Sequence, residues 1–147
     1  MSYPVWWETT LTIYNKYEDP ITNLITWYRT VVEGAFWKYV GDKVTINDTV
    51  LETKNIVARI RKDPRFLPHH EWIALPNDVM SDYFTLSEGD IIVKDAVDDE
   101  INEYQSGHRS SDLLGKYKKL QGCMSIETLA INVGAGRCNE HYRVKGI

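Results

Sequence analysis

The sequence predicts a mainly β fold, either a small β-barrel or a sandwich, with a long proline-bounded loop and one short α-helix. Short runs of β-branched and aromatic residues, several of them alternating apolar with polar, recur along the 147 residues. Aromatic residues make up 12% of the chain, and they favour strands. No repeat and no Gly/Ser/Pro-rich linker divides the sequence, so residues 1–147 are expected to form a single β-rich domain.

The first strand patterns lie near the beginning of the chain. Leu11–Tyr17 alternates apolar and polar side chains, which is typical of a half-buried strand. Ile25–Val32 and Phe36–Val40 are both rich in β-formers. They are predicted to be two strands joined by a tight turn at Glu33–Ala35.

A hairpin and a further strand are predicted next. Val44–Ile46 and Thr49–Leu51 flank Asn47-Asp48, a pair of turn-forming residues, so the two runs are expected to pair as a hairpin. Asn55–Arg61 alternates again, with Ile56, Ala58 and Ile60 on one side. The pattern predicts a strand with one buried face and one basic, solvent-facing side.

Residues 63–82 are predicted to be a long ordered loop. Three prolines fall in this stretch, and proline cannot donate a hydrogen bond to a strand ladder. One helical turn is expected near Asn77–Ser81. Apolar side chains such as Phe66 and Trp72 argue against disorder, and long loops in small domains are usually functional or interface-forming.

The last third of the chain contains shorter elements. Ser110 and Asp112 can cap a helix start and Gly122 can end it, so a short helix is predicted over residues 110–121. The remaining β runs are predicted strands at Tyr83–Leu86, Asp90–Val97, Met124–Val133 and Glu140–Val144, with a turn at Gly134–Gly136 between the last two.

Composition excludes several classes of protein. The net charge is −4 and the sequence pI about 5.5, whereas a protein that grips phosphates by itself is usually basic. No run approaches the roughly 20 apolar residues that a membrane span needs. The first eight residues lack the basic and long apolar regions of a signal peptide, so a cytoplasmic origin without membrane contact is expected.

No catalytic or metal-binding motif is found in the sequence. There is no Gly-x-Ser-x-Gly elbow, no His-Glu-x-x-His pair and no phosphate-binding glycine loop. His69 and His70 are adjacent, so on an extended chain they point to opposite sides. Cys123 and Cys138 are either two buried thiols or a disulfide between neighbouring strands. Neither enzymatic activity nor a cofactor is expected.

Charge patterning is the strongest chemical signal. Residues 78–103 contain nine acids and one lysine, a net charge of −8, so the other residues carry +4. Asp95, Asp98, Asp99 and Glu100 could ligate calcium, but the spacing of an EF-hand loop is missing. The acidic stretch is either an ordinary solvated edge, a docking face for a basic partner, or a wall past which DNA slides without sticking.

A basic group could complement this acidic stretch. If copies of the protein sit side by side, the basic edge of one could meet the acidic edge of the next, and head-to-tail contacts of this kind generate rings. The candidate interface or channel residues are the acidic Asp95, Asp98, Asp99 and Glu100, the basic Arg59, Arg61, Lys62 and Arg65, and the loop residues Phe66 and Trp72.

Several short segments resemble the sequences of a family of small proteins encoded by tailed bacteriophages and prophages. They are spread over nearly the whole chain. The matching phrases are YNKY at 14–17, WYRTVV at 27–32, FW at 36–37, EW at 71–72, YFTL at 83–86, GDIIVK at 89–94, VDDEI at 97–101 and HYRVKG at 141–146.

The resemblance implies a phage origin and a role in the virion neck. Such proteins are similar to head–tail connector and head-closure components, small β-barrels with long loops that assemble as rings around the DNA channel. The implied partners are further copies of the chain, portal or adaptor and tail proteins, and DNA that passes without sequence-specific binding. The implied location is the virion, assembled in the host cytoplasm. A tail terminator or tail-tube-associated protein is the alternative, and a small ligand-binding barrel or enzyme is a third possibility.

Overall fold

The computed structural model describes residues 6–118, 122–132 and 140–147, with the backbone alone for 41–44, 51–54 and 132. Within these residues the predicted mainly β class is confirmed as a closed barrel of six antiparallel strands. The strands are β1 (Thr9–Glu18), β2 (Ile25–Ile46), β3 (Thr49–Arg61), β4 (Ile91–Lys94), β5 (Cys123–Asn132) and β6 (His141–Gly146). Their order around the barrel is β1-β2-β3-β6-β5-β4.

Two short helices accompany the barrel. Helix α1 (His69–Trp72) and a 3₁₀ turn (Met80–Asp82) lie in the proline-bounded loop, and helix α2 (Ser110–Lys118) lies between β4 and β5. The helical turn expected near Asn77–Ser81 is therefore displaced to Met80–Asp82, and α1 was not predicted. The last three residues of the predicted 110–121 helix lie outside the described part of the chain. No helix among the described residues is long and apolar enough to cross a membrane.

The prediction of two strands joined by a turn at Glu33–Ala35 was wrong, because β2 runs without a break through this segment. Its first part pairs with β1 and its second part with β3. The register slips between Leu11↔Val32 and Thr9↔Ala35, which places an extra residue in β2. Gly34 has a φ of +66° there. The glycine therefore marks a β-bulge, where the strand bends from one neighbour to the next.

The hairpin at Asn47-Asp48 is confirmed, and both residues have positive φ, 52° and 62°. It joins longer strands than expected, since residues 49–61 form the single strand β3. The predicted strand Tyr83–Leu86 is absent from the barrel. Phe84 makes one isolated bridge with Phe66, and Phe84 to Leu86 are buried as an irregular segment.

The core has two layers, one inside the barrel and one outside it. Inside, the buried side chains alternate along each strand, with Leu11 and Ile13 from β1 as examples. Outside, Tyr14 of β1 packs with Ile91, Ile101 and Leu113 beneath the segment 95–118. Strand β1 is thus buried on both faces rather than half-buried. Its outer face is covered because the chain after β4 folds back over it.

Candidate functional site

The acidic segment, residues 95–100, lies along the outer face of β1. Thr12 Oγ1 donates a hydrogen bond to Asp95 O at 2.7 Å and accepts one from Val97 N at 3.0 Å. Asp95 has a φ of 113° and its carboxylate accepts from the next backbone amide. Strand β4 therefore ends at Lys94 instead of the predicted Val97, and the chain turns across the neighbouring strand.

Four predicted acidic site residues lie in this segment. Asp98 is fully exposed and lies 3.9 Å from Arg29 Nη1. Asp99 accepts a hydrogen bond from Lys116 Nζ at 2.8 Å, which holds the pKa of its carboxyl below the usual value. Asp95 and Glu100 are exposed and have no ion pair among the described residues. The segment is negative at its surface, although Arg29 and Lys116 neutralise part of it.

One acid of the negative window is structural and faces inward. Asp90 is 1% exposed and accepts hydrogen bonds from Asn15 Nδ2, Lys16 N and the amide and hydroxyl of Ser87. Burial raises the pKa of Asp90, and these hydrogen bonds oppose the shift only in part. Sequence charge alone cannot separate such an acid from those at the surface.

Two of the predicted basic residues are held against the barrel. Arg61 donates from Nε to Gly34 O at 2.6 Å and from Nη2 to Trp7 O at 3.0 Å. It thereby satisfies one carbonyl at the β2 bulge and one just before β1. The Arg59 guanidinium lies 5.2 Å from the centre of the Phe36 ring. Arg59 Nε is buried and has no hydrogen-bond partner in the described part of the chain.

The other two predicted basic residues lie where the chain leaves β3. Lys62 Nζ is 3.4 Å from a carboxylate oxygen of Glu140. Arg65 makes a two-pronged contact with Asp63, at 2.8 and 3.1 Å. Burial alone would raise the pKa of Asp63, but the hydrogen bonds from Arg65 lower it below its usual value. Both basic side chains remain largely exposed.

Phe66 and Trp72 fasten the long loop to the barrel. Phe66 stacks on Tyr142 with ring centroids 4.0 Å apart. Trp72 is fully buried, contacts Tyr28 edge to face at 5.6 Å and donates from Nε1 to Met80 O at 3.3 Å. Trp72 was predicted as an interface or channel residue, but in this fold it presents no surface to a partner.

Additional basic residues on the outside of the barrel were missed. In β6 the inward residues Tyr142 and Val144 are buried, so Arg143 and Lys145 project outward and are exposed. Strand β6 pairs with β3, which places Arg143 directly opposite Arg59. The phrase HYRVK carries the signal, since its basic residues recur at every second position in the same way as those of ARIR at 58–61.

A groove of about 980 Å³ opens between the start of β2, the acidic segment and α2. Tyr104 spans it, because its hydroxyl accepts a hydrogen bond from Ile25 N at 2.9 Å. The lining carries both signs of charge, including Glu100, Arg109 and Lys116. The groove has no signal in the sequence, because residues 24–27 and 98–116 are brought together only by the fold.

The histidines and cysteines assemble no metal centre among the described residues, where no group of three potential ligands occurs. His69 and His70 are exposed on α1, and His108 lines the groove. Cys123 is a free, buried thiol whose pKa is raised by burial. Cys138 and the predicted Gly134–Gly136 turn lie outside the described residues.

Comparison with known proteins gives one informative result. Neither a search of curated proteins nor a search of solved structures found a match. One family model, described as a family of unknown function (DUF6751), matches residues 6–147 and so covers nearly the whole chain. This protein therefore belongs to the DUF6751 family.

Proposed function

We propose that the chain is a structural subunit of a bacteriophage virion, a ring-forming component of the head–tail junction through which DNA passes. Its partners would be further copies of itself and the portal or adaptor and tail proteins. Two features support this proposal. One is the resemblance of the sequence to small proteins of tailed bacteriophages, and the other is a structural feature suited to contacts between subunits. That feature is the ribbon formed by the far ends of β2 and β3.

The ribbon carries the structural argument. Within the described ranges, residues 40–46 pair only with residues 49–55, because β1 pairs with β2 no further than Ala35 and β6 pairs with β3 no further than Ile56. At about 3.3 Å per residue the ribbon extends roughly 20 Å beyond the barrel. An isolated two-stranded ribbon is marginally stable in water. Ile46 and Val50 near its tip are 52% and 61% exposed, as expected of an arm that docks on another subunit.

Two other functions remain as alternatives. A tail terminator or tail-tube-associated protein would use the same barrel and arm, and differs by its neighbours in the particle. A small ligand-binding barrel or enzyme is favoured by one observation, the groove of about 980 Å³ beside α2, which is large enough for a small molecule.

A cryo-EM reconstruction of a virion that contains the protein tests the proposal. We expect a ring of copies between the portal complex and the tail, with the ribbons contacting an adjacent ring or subunit. Density at the tail-tube end would support the terminator alternative, and a position away from the head–tail junction would refute the proposal.

A ribbon-shortened variant provides a second test in solution. Replacing residues 41–54 by an Asn-Gly turn should leave thermal unfolding of the barrel nearly unchanged, because the backbone of these residues pairs with no third strand among those described. The same variant should fail to assemble into particles in a complementation assay. The matched control is Asp48→Gly, which keeps the ribbon and supplies a residue suited to its positive φ.

A further inference from the structure

The two charged surfaces lie on opposite sides of the barrel. In the cyclic order β1-β2-β3-β6-β5-β4, the strand three places from β1 is β6. The acidic segment covers the outer face of β1 and is tied to it through Thr12 and Tyr14, whose hydroxyl donates to Asp99 O at 2.5 Å. At one end the outer face of β3 and β6 is covered by Trp6 and Trp7, which contact Phe36 and His141. At Lys38, Arg143 and Lys145 this face is exposed. One wall of the barrel is therefore acidic, and the opposite wall is a sheet face exposed at these three positions.

This exposed sheet face is basic, and we call it the basic wall. Strand pairing arranges its outward side chains in rows: Lys38, Val57 and Lys145 form one row, and Phe36, Arg59 and Arg143 the next. The inward neighbours are core residues, which fixes the outward direction of the charges. The wall consists of Lys38, Arg59, Arg61, Arg143 and Lys145.

Charge on the basic wall is poorly compensated within the chain. Arg59 lies opposite Arg143, and like charges directly across a strand pair are destabilising. The side chains of Lys38, Arg143 and Lys145 are exposed and form no ion pair among the described residues. Arg59 Nε is buried and has no hydrogen-bond acceptor among the described residues. A negative partner would relieve the repulsion between Arg59 and Arg143.

We infer that the basic wall of one copy binds the acidic segment, residues 95–100, of a second copy. Asp95 and Glu100 are exposed without ion pairs among the described residues, and the Asp98 side chain is fully exposed. Because the two surfaces lie on opposite sides of one barrel, each copy can bind two neighbours through the same contact. Such a contact is heterologous, and it closes into a ring when the rotation between copies permits.

The inference names the subunit contact of the ring proposed above and rests on that proposal for its biological setting. The contact has a physical signature of its own. Exposed charge pairs are screened over about 8 Å at physiological ionic strength, so association should weaken as salt is raised. Nucleic-acid phosphates are the competing occupants of a basic face, and the test separates them from a second copy.

Two charge-reversed variants test the contact in the full-length protein. The first carries Lys38→Glu, Arg143→Glu and Lys145→Glu, which changes the charge of the basic wall from +5 to −1 and makes both walls acidic. The second carries Asp95→Lys, Asp98→Lys and Glu100→Lys, which changes the charge of residues 95–100 from −4 to +2 and makes both walls basic. All six side chains are exposed, so folding should be retained, as circular dichroism and thermal unfolding can check. Light scattering should show that each variant alone associates at least ~10-fold more weakly than the wild type.

Mixing the two variants gives the decisive result. In an equimolar mixture each acidic wall faces a basic one, so association should return to near the wild-type level. Glu71→Lys changes the net charge at an exposed site on α1, outside both surfaces, and it should leave association unchanged.

Several outcomes would overturn the inference. These are a wild type that stays monomeric at low salt, variants that associate normally, and a mixture that is not rescued. Loss of duplex-DNA binding by the first variant, with normal self-association, would instead assign the wall to nucleic acid. A neck ring built through other surfaces would refute this contact and leave the proposed function standing. Rescue in the mixture, with the protein located outside the neck, would support this contact and refute the proposed function.

Discussion

Asn15 on β1 donates a hydrogen bond from Nδ2 to Oδ2 of Asp90 at 2.9 Å, and both side chains are buried. The same amide group donates to Thr85 O at 2.5 Å, while Asn15 Oδ1 accepts from Thr85 N at 3.2 Å. Asp90 in turn holds the turn that begins at Ser87. This network therefore fastens residues 85–87 to β1, although they pair with no barrel strand among the described residues.

Truncation of the buried carboxylate should destabilise the fold. Asp90→Ala leaves the donors of Asn15, Lys16 and Ser87 without their acceptor, and unsatisfied buried groups cost about 1–3 kcal/mol each before relaxation. We expect urea unfolding to show a loss of about 3 kcal/mol. Glu88→Ala, at an exposed neighbouring position, is the control and should have little effect. Equal stability of both variants would contradict a structural role for the network.

Asp90 should also give the stability a particular pH dependence. Burial raises the pKa of Asp90 in the folded protein above the usual value of 3.8. At a pH between 3.8 and the folded pKa, the folded protein therefore binds a proton that the unfolded chain has lost. The stabilisation is fully present below pH 3.8 and declines as the pH rises through the folded pKa. The difference in unfolding free energy between wild type and Asp90→Ala should therefore be largest in acid and level off at higher pH. If this free-energy difference instead grew with pH, folding would lower the pKa of Asp90 rather than raise it.

Strands with one buried and one exposed face could be predicted from the sequence. Asn55–Arg61 and HYRVK alternate with a period of two, and their inward residues are buried as the pattern requires. The residue types at Glu33–Ala35 predict a turn, whereas β2 has a bulge there. Local turn chemistry cannot distinguish a hairpin from a bulge, because the difference depends on whether the next run pairs back or continues to a new neighbour.

The charged residues of the candidate site could be predicted from the sequence, but their positions on the barrel could not. The charges of the acidic segment and of Arg59 were evident, but their positions on opposite walls follow from the order of strands around the barrel. Asp90 was counted with the surface acids and Trp72 with the interface residues, because residue type alone does not show whether a side chain is buried. Long-range hydrogen bonds, such as Asn15 with Asp90, decide that burial.

The β2 bulge should be sensitive to an added methyl group. Gly34 has a φ of +66°, and a Cβ there would lie 2.6 Å from the Arg61 guanidinium. Gly34→Ala should lower the free energy of unfolding by about 1–2 kcal/mol, through backbone strain and displacement of the arginine. In contrast, Gly115→Ala lies in α2 with nothing within 4 Å and should raise stability by about 0.5–1 kcal/mol. Calorimetry of the two variants checks these opposite signs.

Trp72 should control the order of the proline-bounded loop. Because it is fully buried against Tyr17 and Tyr28, Trp72→Ala should cost about 4 kcal/mol of stability and expose residues 63–82 to limited proteolysis. Ile73→Ala is the matched control, since Ile73 is 42% exposed and next in sequence. Cleavage of the loop at the wild-type rate in the Trp72 variant would show that another contact anchors it.

Lys116 should set the ionisation of Asp99, with a pH dependence opposite to that of Asp90. The hydrogen bond from Lys116 Nζ holds the pKa of Asp99 below its usual value of 3.8, despite partial burial. The stabilisation is present above that value and is lost as the pH falls through the folded pKa. Lys116→Met should therefore raise the pKa of Asp99 towards 3.8 in an NMR titration of the carboxyl carbon. Lys118→Met, on the same helix, should leave it unchanged, and an unshifted Asp99 in the Lys116 variant would mean that another group depresses its pKa.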